Sequence, residues 1–198
     1  MHYTIYQCAI VILAAGQSSR LGRPKQLLPF QGKSLLRHCA EQALATGLPV
    51  TVVIGANGEL IRPAIKDLAL TVADNQQWIS GMSSSVRCGV EAAKRGLEDL
   101  DGILLMVSDQ PFVSADLLRR ILKVQEDTGA PIVSSQYGAR MGVPALFHKS
   151  MFQELIGLQG DTGARKLIEK YKDEVTMVAF PEGAVDVDTL EEYNALLK

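Results

Sequence analysis

Gly16, Ser18, Ser19, Arg20, Gly22 and Lys25 crowd into positions 16–25, directly after the apolar run VILAA (11–15). Each suits an anion. Glycine lets backbone N–H groups approach a phosphate with no side chain between them. Serine hydroxyls add donors, the Arg20 guanidinium supplies a planar fork, and Lys25 supplies a mobile point charge. Pro24 stiffens the approach to Lys25. A solvated loop whose cations meet no ligand would have the same composition, so spacing alone leaves both readings open.

Acidic residues supply the second half of a possible site. Asp109 ends the apolar run GILLMVSD (102–109), and Asp186 and Asp188 stand in DVDT. A carboxylate beside phosphates needs a cation between them, and magnesium binds through one or two carboxylates plus substrate phosphates. Asp109 could equally cap a turn before Pro111. Alternation puts Asp186 and Asp188 on the same side of an extended segment, so spacing does not choose between them.

Other chemistries find less support. Gly32-Lys33-Ser34 supplies the end of a P-loop, but the first glycine of that motif would fall on Leu27. The fingerprint G-x-G-x-x-G is absent. Cys8, Cys39 and Cys88 show no C-x-x-C spacing, which argues against zinc, and their odd number fits a reducing compartment. His2, His38 and His148 show no metal spacing either, and His38 lies in a helical pattern.

The elements that must position these residues alternate in type. Strands are expected at 9–14, 50–55, 70–74, 102–109, 131–135, 143–148 and 175–180. Helices are expected from Ser34 to about Leu44, and at 58–68, 82–95, 150–156 and 162–171, with Pro63 a start or break in the second. Ser114 and Gly129 bracket another, and Thr189 with Glu192 forms a capping box for the last. This alternation predicts an α/β fold, a three-layer, mostly parallel, Rossmann-like sheet. Ligands then sit beyond the carboxyl ends of the strands, so the loops at Gly16, Asp109 and Gly55 should share one edge.

The chain has 198 residues and a net charge of −2, so no global basic field draws it to nucleic acid or anionic lipid. The start lacks the charged and apolar regions of a signal peptide, and no apolar run approaches a membrane span. A cytoplasmic location is expected.

The stretch LAAGQSSRLGRPKQLLP (13–29) resembles the signature of nucleotidyltransferases of the molybdenum-cofactor class. WISGMSSSVRCG, VSDQPFV, GVPALF, GDTGAR and DVDTLEEY follow in that family's order. Together they resemble the molybdenum cofactor cytidylyltransferases among the MobA-like NTP transferases. RLG stands for the more usual RMG, and residues 1–8 match nothing, which leaves them disordered or pairing at an edge.

The resemblance implies one nucleotidyltransferase domain over 1–198, of the nucleotide-diphospho-sugar transferase type. It implies transfer of CMP from CTP to the phosphate of molybdopterin (molybdenum cofactor), with release of pyrophosphate and Mg2+ as cofactor. Its client would be a molybdenum hydroxylase of the xanthine dehydrogenase family. The runner-up readings are the same fold with GTP or a sugar-phosphate acceptor, and a non-catalytic cofactor carrier.

Residue by residue, the resemblance puts the nucleotide on Leu13, Ala14, Ala15, Gly16, Ser18, Arg20, Lys25, Gly81 and Ser85. It makes Lys25, Arg20 and Asp109 catalytic, and assigns metal to Asp109 with Asp186 or Asp188. It puts the acceptor on Gln110, Gly142, Pro144 and Arg165, although Arg165 also reads as a solvated helix charge. Trp78 and Met82 read equally well as core. LAAG in place of LAGG resembles the CTP-using branch.

Overall fold

The computed structural model describes residues 6–19, 21–97 and 99–197. Its centre is strand β1 (Cys8–Leu13), whose apolar run is buried on both faces. Ile10 and Ile12 pack with helices α1 (Leu35–Leu44) and α4 (Ala115–Thr128). Ala9 and Val11 face the opposite layer of α3 (Met82–Gly96), α5 (Phe152–Ile156) and α6 (Arg165–Lys170). A strand covered on both sides has no reason to alternate polar and apolar residues, which is why its sequence reads as one hydrophobic run.

Around β1 the sheet takes the order β5-β4-β1-β6-β8-β7-β9. The flanking strands are β4 (Val50–Ile54), β5 (Thr71–Asp74), β6 (Gly102–Val107), β7 (Ile132–Tyr137), β8 (Arg140–His148) and β9 (Val175–Ala179). β8 runs antiparallel to β6 and β7, and the other pairings are parallel. β7 and β8 form a hairpin through Gly138, whose φ of 62° suits a tight turn.

Several expected elements differ from those observed. The helix expected at 58–68 is a single turn, α2 (Gly58–Ile61), followed by a 3-10 turn at Arg62–Ala64. Pro63 has no N–H to continue the ladder. The helices expected at 150–156 and 162–171 shrink to α5 and α6, because a 3-10 turn takes Lys149–Met151 and a turn precedes Arg165. Residues 1–5 lie outside the described residues, but the edge pairing expected for the first eight does not hold at Cys8. It opens β1, which is flanked on both sides by β4 and β6.

The C-terminal segment closes the site. Between β1 and α1, the chain forms a small hairpin, β2 (Pro29–Phe30) and β3 (Lys33–Ser34). Helix α7 (Leu190–Leu196) lies on it through Leu28, Phe30, Leu35, Val187 and Tyr193. The Tyr193 hydroxyl donates to the Pro29 carbonyl at 2.7 Å. The Thr189–Glu192 capping box forms as expected and starts α7 directly after Asp188.

Candidate active site

The loop after β1 holds its shape through a buried glutamine. Gln26 Nε2 donates to the carbonyls of Ala14 (2.9 Å) and Gly16 (3.1 Å), and its Oε1 accepts from Ser18 Oγ at 3.4 Å. Ser18 Oγ in turn accepts from the Lys25 backbone N–H at 3.0 Å. Ser18, expected at the nucleotide, therefore spends its hydroxyl inside the loop, and it holds a left-handed φ of 58°. Arg20 lies outside the described residues.

This stitching aims Lys25 at the carboxyl end of β6. Lys25 Nζ is 2.5 Å from Asp109 Oδ2 and 2.6 Å from Asp188 Oδ1. The Lys25 and Asp109 side chains are 15% and 17% exposed, so solvent screens their attraction weakly. Burial disfavours the charge on Lys25, but the two carboxylates outweigh it and raise its pKa. Asp188 arrives because the Val187 N–H donates to the Asp109 carbonyl at 3.1 Å, pinning the C-terminal segment over β6. Asp186 stands on the other side of Val187. Partial burial raises its carboxyl pKa, helped by the negative charges of Asp109 and Asp188.

Between this cluster and α3 opens a cleft of about 680 Å3. Leu13, Ala14, Ala15 and Gly16 line one wall, Val107, Ser108 and Asp109 the floor, and Lys25 and Gln26 one end. Trp78, Ile79, Gly81, Met82, Ser85 and Asp161 line the opposite wall. The cleft sits at the carboxyl ends of the parallel neighbours β1 and β6, as the strand alternation predicts. Gly55 lies behind the cleft wall. A Cβ there would stand 2.8 Å from Trp78 Cβ and 2.9 Å from Ala15 Cβ, so its bareness lets those two close together. Gly81 adopts a φ of 94° and lies directly against Gly160, where any side chain would strike the Gly160 carbonyl.

Ile79 is 82% exposed and Met82 44%, so neither is core, and Trp78 is half-buried at the cleft. Asp161 belongs to the GDTGAR motif, which the resemblance puts on the acceptor side. Gly160 and Asp161 instead pack on the first turn of α3, where Gly160 O accepts from the Ser83 N–H at 3.2 Å.

The residues expected at the acceptor lie apart from this cleft. Gln110 is buried, and its amide donates to the Gly183 carbonyl at 3.2 Å. Gly142 lies beneath the Tyr137 hydroxyl. Pro144 follows a cis peptide bond, and its carbonyl accepts from Ser135 Oγ at 2.7 Å. Arg165 is exposed and pairs with Glu169 one turn along α6 at 2.8 Å. The Tyr137 hydroxyl pKa is raised mainly by burial, and the charges of Arg165, Asp186, Arg140 and Asp109 all reach it, so Tyr137 sits between the acceptor-side residues and the carboxylates.

Asp109 Oδ1 is buried with no hydrogen-bond partner among the described residues, an orphan that a cation would satisfy. Together with Asp186 and Asp188 it offers only hard oxygen donors, so the residues fit a magnesium-like ion. Among the described residues no preformed group of three such ligands is present; the Lys25 ammonium bridges two of the carboxylates instead.

A seven-stranded sheet with helices on both faces and a cleft at its topological centre is the fold of the nucleotide-diphospho-sugar transferases. Within it, the chain belongs to the MobA-like NTP transferase domain family, whose model matches residues 10–175. Nicotine blue oxidoreductase of Paenarthrobacter nicotinovorans is 32% identical over 199 residues, covering 94% of this chain and 95% of that protein. Purine catabolism protein PucB of Bacillus subtilis (strain 168) is 32% identical over 197 residues, 93% of each chain. The crystal structure of Rv0371c from Mycobacterium tuberculosis H37Rv superposes with a TM-score of 0.82 at 32% identity over 98% of both chains. A manganese complex of that mycobacterial protein matches at 31% identity with a TM-score of 0.80, over 96% of this chain and 98% of that one.

Proposed function

We propose that this chain is a cytidylyltransferase of a single domain. It transfers CMP from CTP to the terminal phosphate of molybdopterin-type molybdenum cofactor. An acceptor phosphate oxygen bonds to the α-phosphorus, the bond from that phosphorus to the bridging oxygen breaks, and pyrophosphate leaves with the electron pair. The observation that carries this reading is the Lys25 ammonium, held by Asp109 and Asp188 at the end of the cleft.

Such a reaction asks little covalent work of the protein. It asks for alignment and for neutralisation of charge that two phosphates cannot disperse. The bare backbone at Ala14–Gly16 suits close approach of the nucleoside, and Lys25 supplies positive charge for the α-phosphate. Asp109, with Asp186 or Asp188, would hold a divalent cation, which supplies further charge neutralisation when bound. Gln26 keeps the loop in shape, and its pairing with Ser18 sets where the Lys25 arm starts. The acceptor would approach from the side of Gly142, Tyr137 and Arg165. LAAG and Ser85 favour cytosine as the base. The name of the Bacillus relative, a purine catabolism protein, agrees with a client among purine-oxidising molybdenum enzymes, and the reaction is placed in the cytoplasm as part of the same reading.

The deciding experiment measures pyrophosphate release with CTP or GTP, Mg2+ or Mn2+, and molybdopterin or sugar phosphates. CTP with molybdopterin should give the fastest release. Faster release with GTP, or with a sugar phosphate, assigns the same fold to the other substrate. Cofactor binding with no pyrophosphate from any triphosphate makes the chain a carrier. A redox reading, raised by the name of the Paenarthrobacter relative, predicts turnover of an electron donor with no pyrophosphate formed.

A further inference from the structure

Asn75, directly after β5, is 5% exposed and uses both ends of its amide. Its Oδ1 accepts from the Gln77 backbone N–H at 2.9 Å. A backbone N–H can only donate, so this bond fixes which end of the amide is oxygen. The Nδ2 end therefore faces α3, where it donates to Ser84 Oγ at 2.8 Å and to Ser85 Oγ at 3.0 Å. Ser84 passes its own hydrogen to the Gly81 carbonyl at 2.8 Å. Ser85 has no such outlet among the described residues, and it lines the cleft. With its oxygen accepting from Asn75, its hydroxyl hydrogen is what remains for a bound molecule.

We propose that Asn75 is a positioning residue that fixes Ser85 as a hydrogen-bond donor to the nucleotide base. The cleft then selects a base whose edge presents an acceptor where Ser85 meets it. Cytosine presents two adjacent acceptors, N3 and O2. The corresponding N1 and N2 of guanine carry hydrogens and leave the Ser85 donor facing donors. The inference rests on the cleft being the nucleotide site and deepens that reading: discrimination comes from a buried amide one layer behind the residue that touches the base.

Asn75→Asp is the informative change, because it keeps the Gln77 contact and reverses the other. A carboxylate cannot donate, so Ser85 turns its hydrogen toward position 75 and shows lone pairs to the cleft. KM for CTP and GTP, and kcat with each, are measured with saturating Mg2+ for the wild-type chain, Asn75→Asp, Ser85→Ala and the double variant. The KM preference for CTP over GTP should fall about tenfold in Asn75→Asp, the scale of one lost hydrogen bond, with kcat changed less than about threefold. Ser85→Ala should lose the same preference, and adding Asn75→Asp to it should change the ratio no further. Asn75→Ala, which frees the hydroxyl to rotate, should shift the ratio the same way by about threefold, and it serves if the Asp variant does not fold. Equal weakening of both nucleotides by Asn75→Asp or Asn75→Ala overturns the proposal, as does a ratio shift that persists without Ser85. A wild-type preference for GTP would overturn the cytidylyl reading alone, since the dependence of the ratio on Asn75 through Ser85 would still be read from the same four proteins.

Discussion

Lys25 Nζ and Asp109 Oδ2 stand 2.5 Å apart, although 84 positions separate them in the chain. The pair joins the loop after β1 to the end of β6, the neighbouring parallel strand. Removing the ammonium takes away the positive charge that Asp109 and Asp188 share at 2.5 and 2.6 Å. Lys25→Ala should therefore lower kcat/KM for pyrophosphate release by about 10^2–10^3, the usual cost of deleting one charge-stabilising group. Lys25→Arg should recover part of it, because charge returns but the wider fork does not fit between two carboxylates spaced for an ammonium. Near-normal turnover in Lys25→Ala would remove Lys25 from the chemistry.

Asp109 has one oxygen on Lys25 and a second, buried, that accepts from no donor among the described residues. If that oxygen serves a divalent cation, Asp109→Asn should raise the Mg2+ or Mn2+ concentration needed for half-maximal rate by about tenfold or more. Chelator should abolish turnover in the wild-type protein and leave its thermal midpoint nearly unchanged, since the Lys25 ammonium itself offsets the charge of Asp109 and Asp188. A rate indifferent to chelator would show that the ammonium alone neutralises the phosphates.

The strand alternation, the central apolar run of β1 and the glycine- and serine-rich loop after it were readable in the sequence because they are local patterns. Which of Asp186 and Asp188 meets the Lys25 ammonium was not. It depends on the Val187 N–H reaching the Asp109 carbonyl, a contact between distant segments that no period in the sequence encodes. Gln26 reads as an ordinary polar residue in KQLLP, and its importance appears only when the Ala14 and Gly16 carbonyls are seen to converge on it. The direction of β8 was hidden for a similar reason: a hairpin return and a crossover differ in where the chain goes next, not in how a strand is composed. Asp161 reaches the cleft through the packing of Gly160 on Gly81, and Trp78 through its close approach to the bare Gly55, both again long-range.

Gly89 is where α3 rests on the sheet. A Cβ there would drive into Val11 Cγ1 and stand 3.0 Å from Val53 Cγ2. Alanine is the better helix former by about 1 kcal/mol, so a helix free to shift would gain from the change. Here Val11 and Val53 are fully buried in adjacent strands and cannot move aside. Gly89→Ala should destabilise the protein by about 1–3 kcal/mol in urea unfolding, the cost of overpacking outweighing the propensity gain. Because α3 carries Ser85 to the cleft, KM for the nucleotide should rise as well. A more stable Gly89→Ala protein would mean that α3 is free to lift from the sheet.

Asp101 separates stability from catalysis, because it lies at the opposite end of β6 from Asp109. Its Oδ1 pairs with Lys149 Nζ at 2.8 Å and its Oδ2 accepts from the Gln7 N–H at 3.1 Å, tying together the starts of β1 and β6 and the end of β8. The Lys149 ammonium first, and the Gln7 N–H after it, hold the Asp101 carboxyl below its ordinary pKa of 3.8. A lowered folded-state pKa means that the folded chain binds its proton less readily than the unfolded one. The carboxylate's contribution is therefore fully present above the ordinary value and is lost as the pH falls through the folded one. Asp101→Asn keeps an oxygen for Gln7 but loses the charge facing Lys149, a largely exposed partner. It should cost about 0.5–1 kcal/mol at neutral pH. The stability gap between wild type and variant should stay level from neutral pH down to the ordinary carboxylate range and close below it. Denaturant midpoints measured across that range check the course of the gap, and one that widened toward acid would reverse the sign and with it the pairing. Pyrophosphate release at neutral pH should be unchanged, since nothing that lines the cleft touches Asp101.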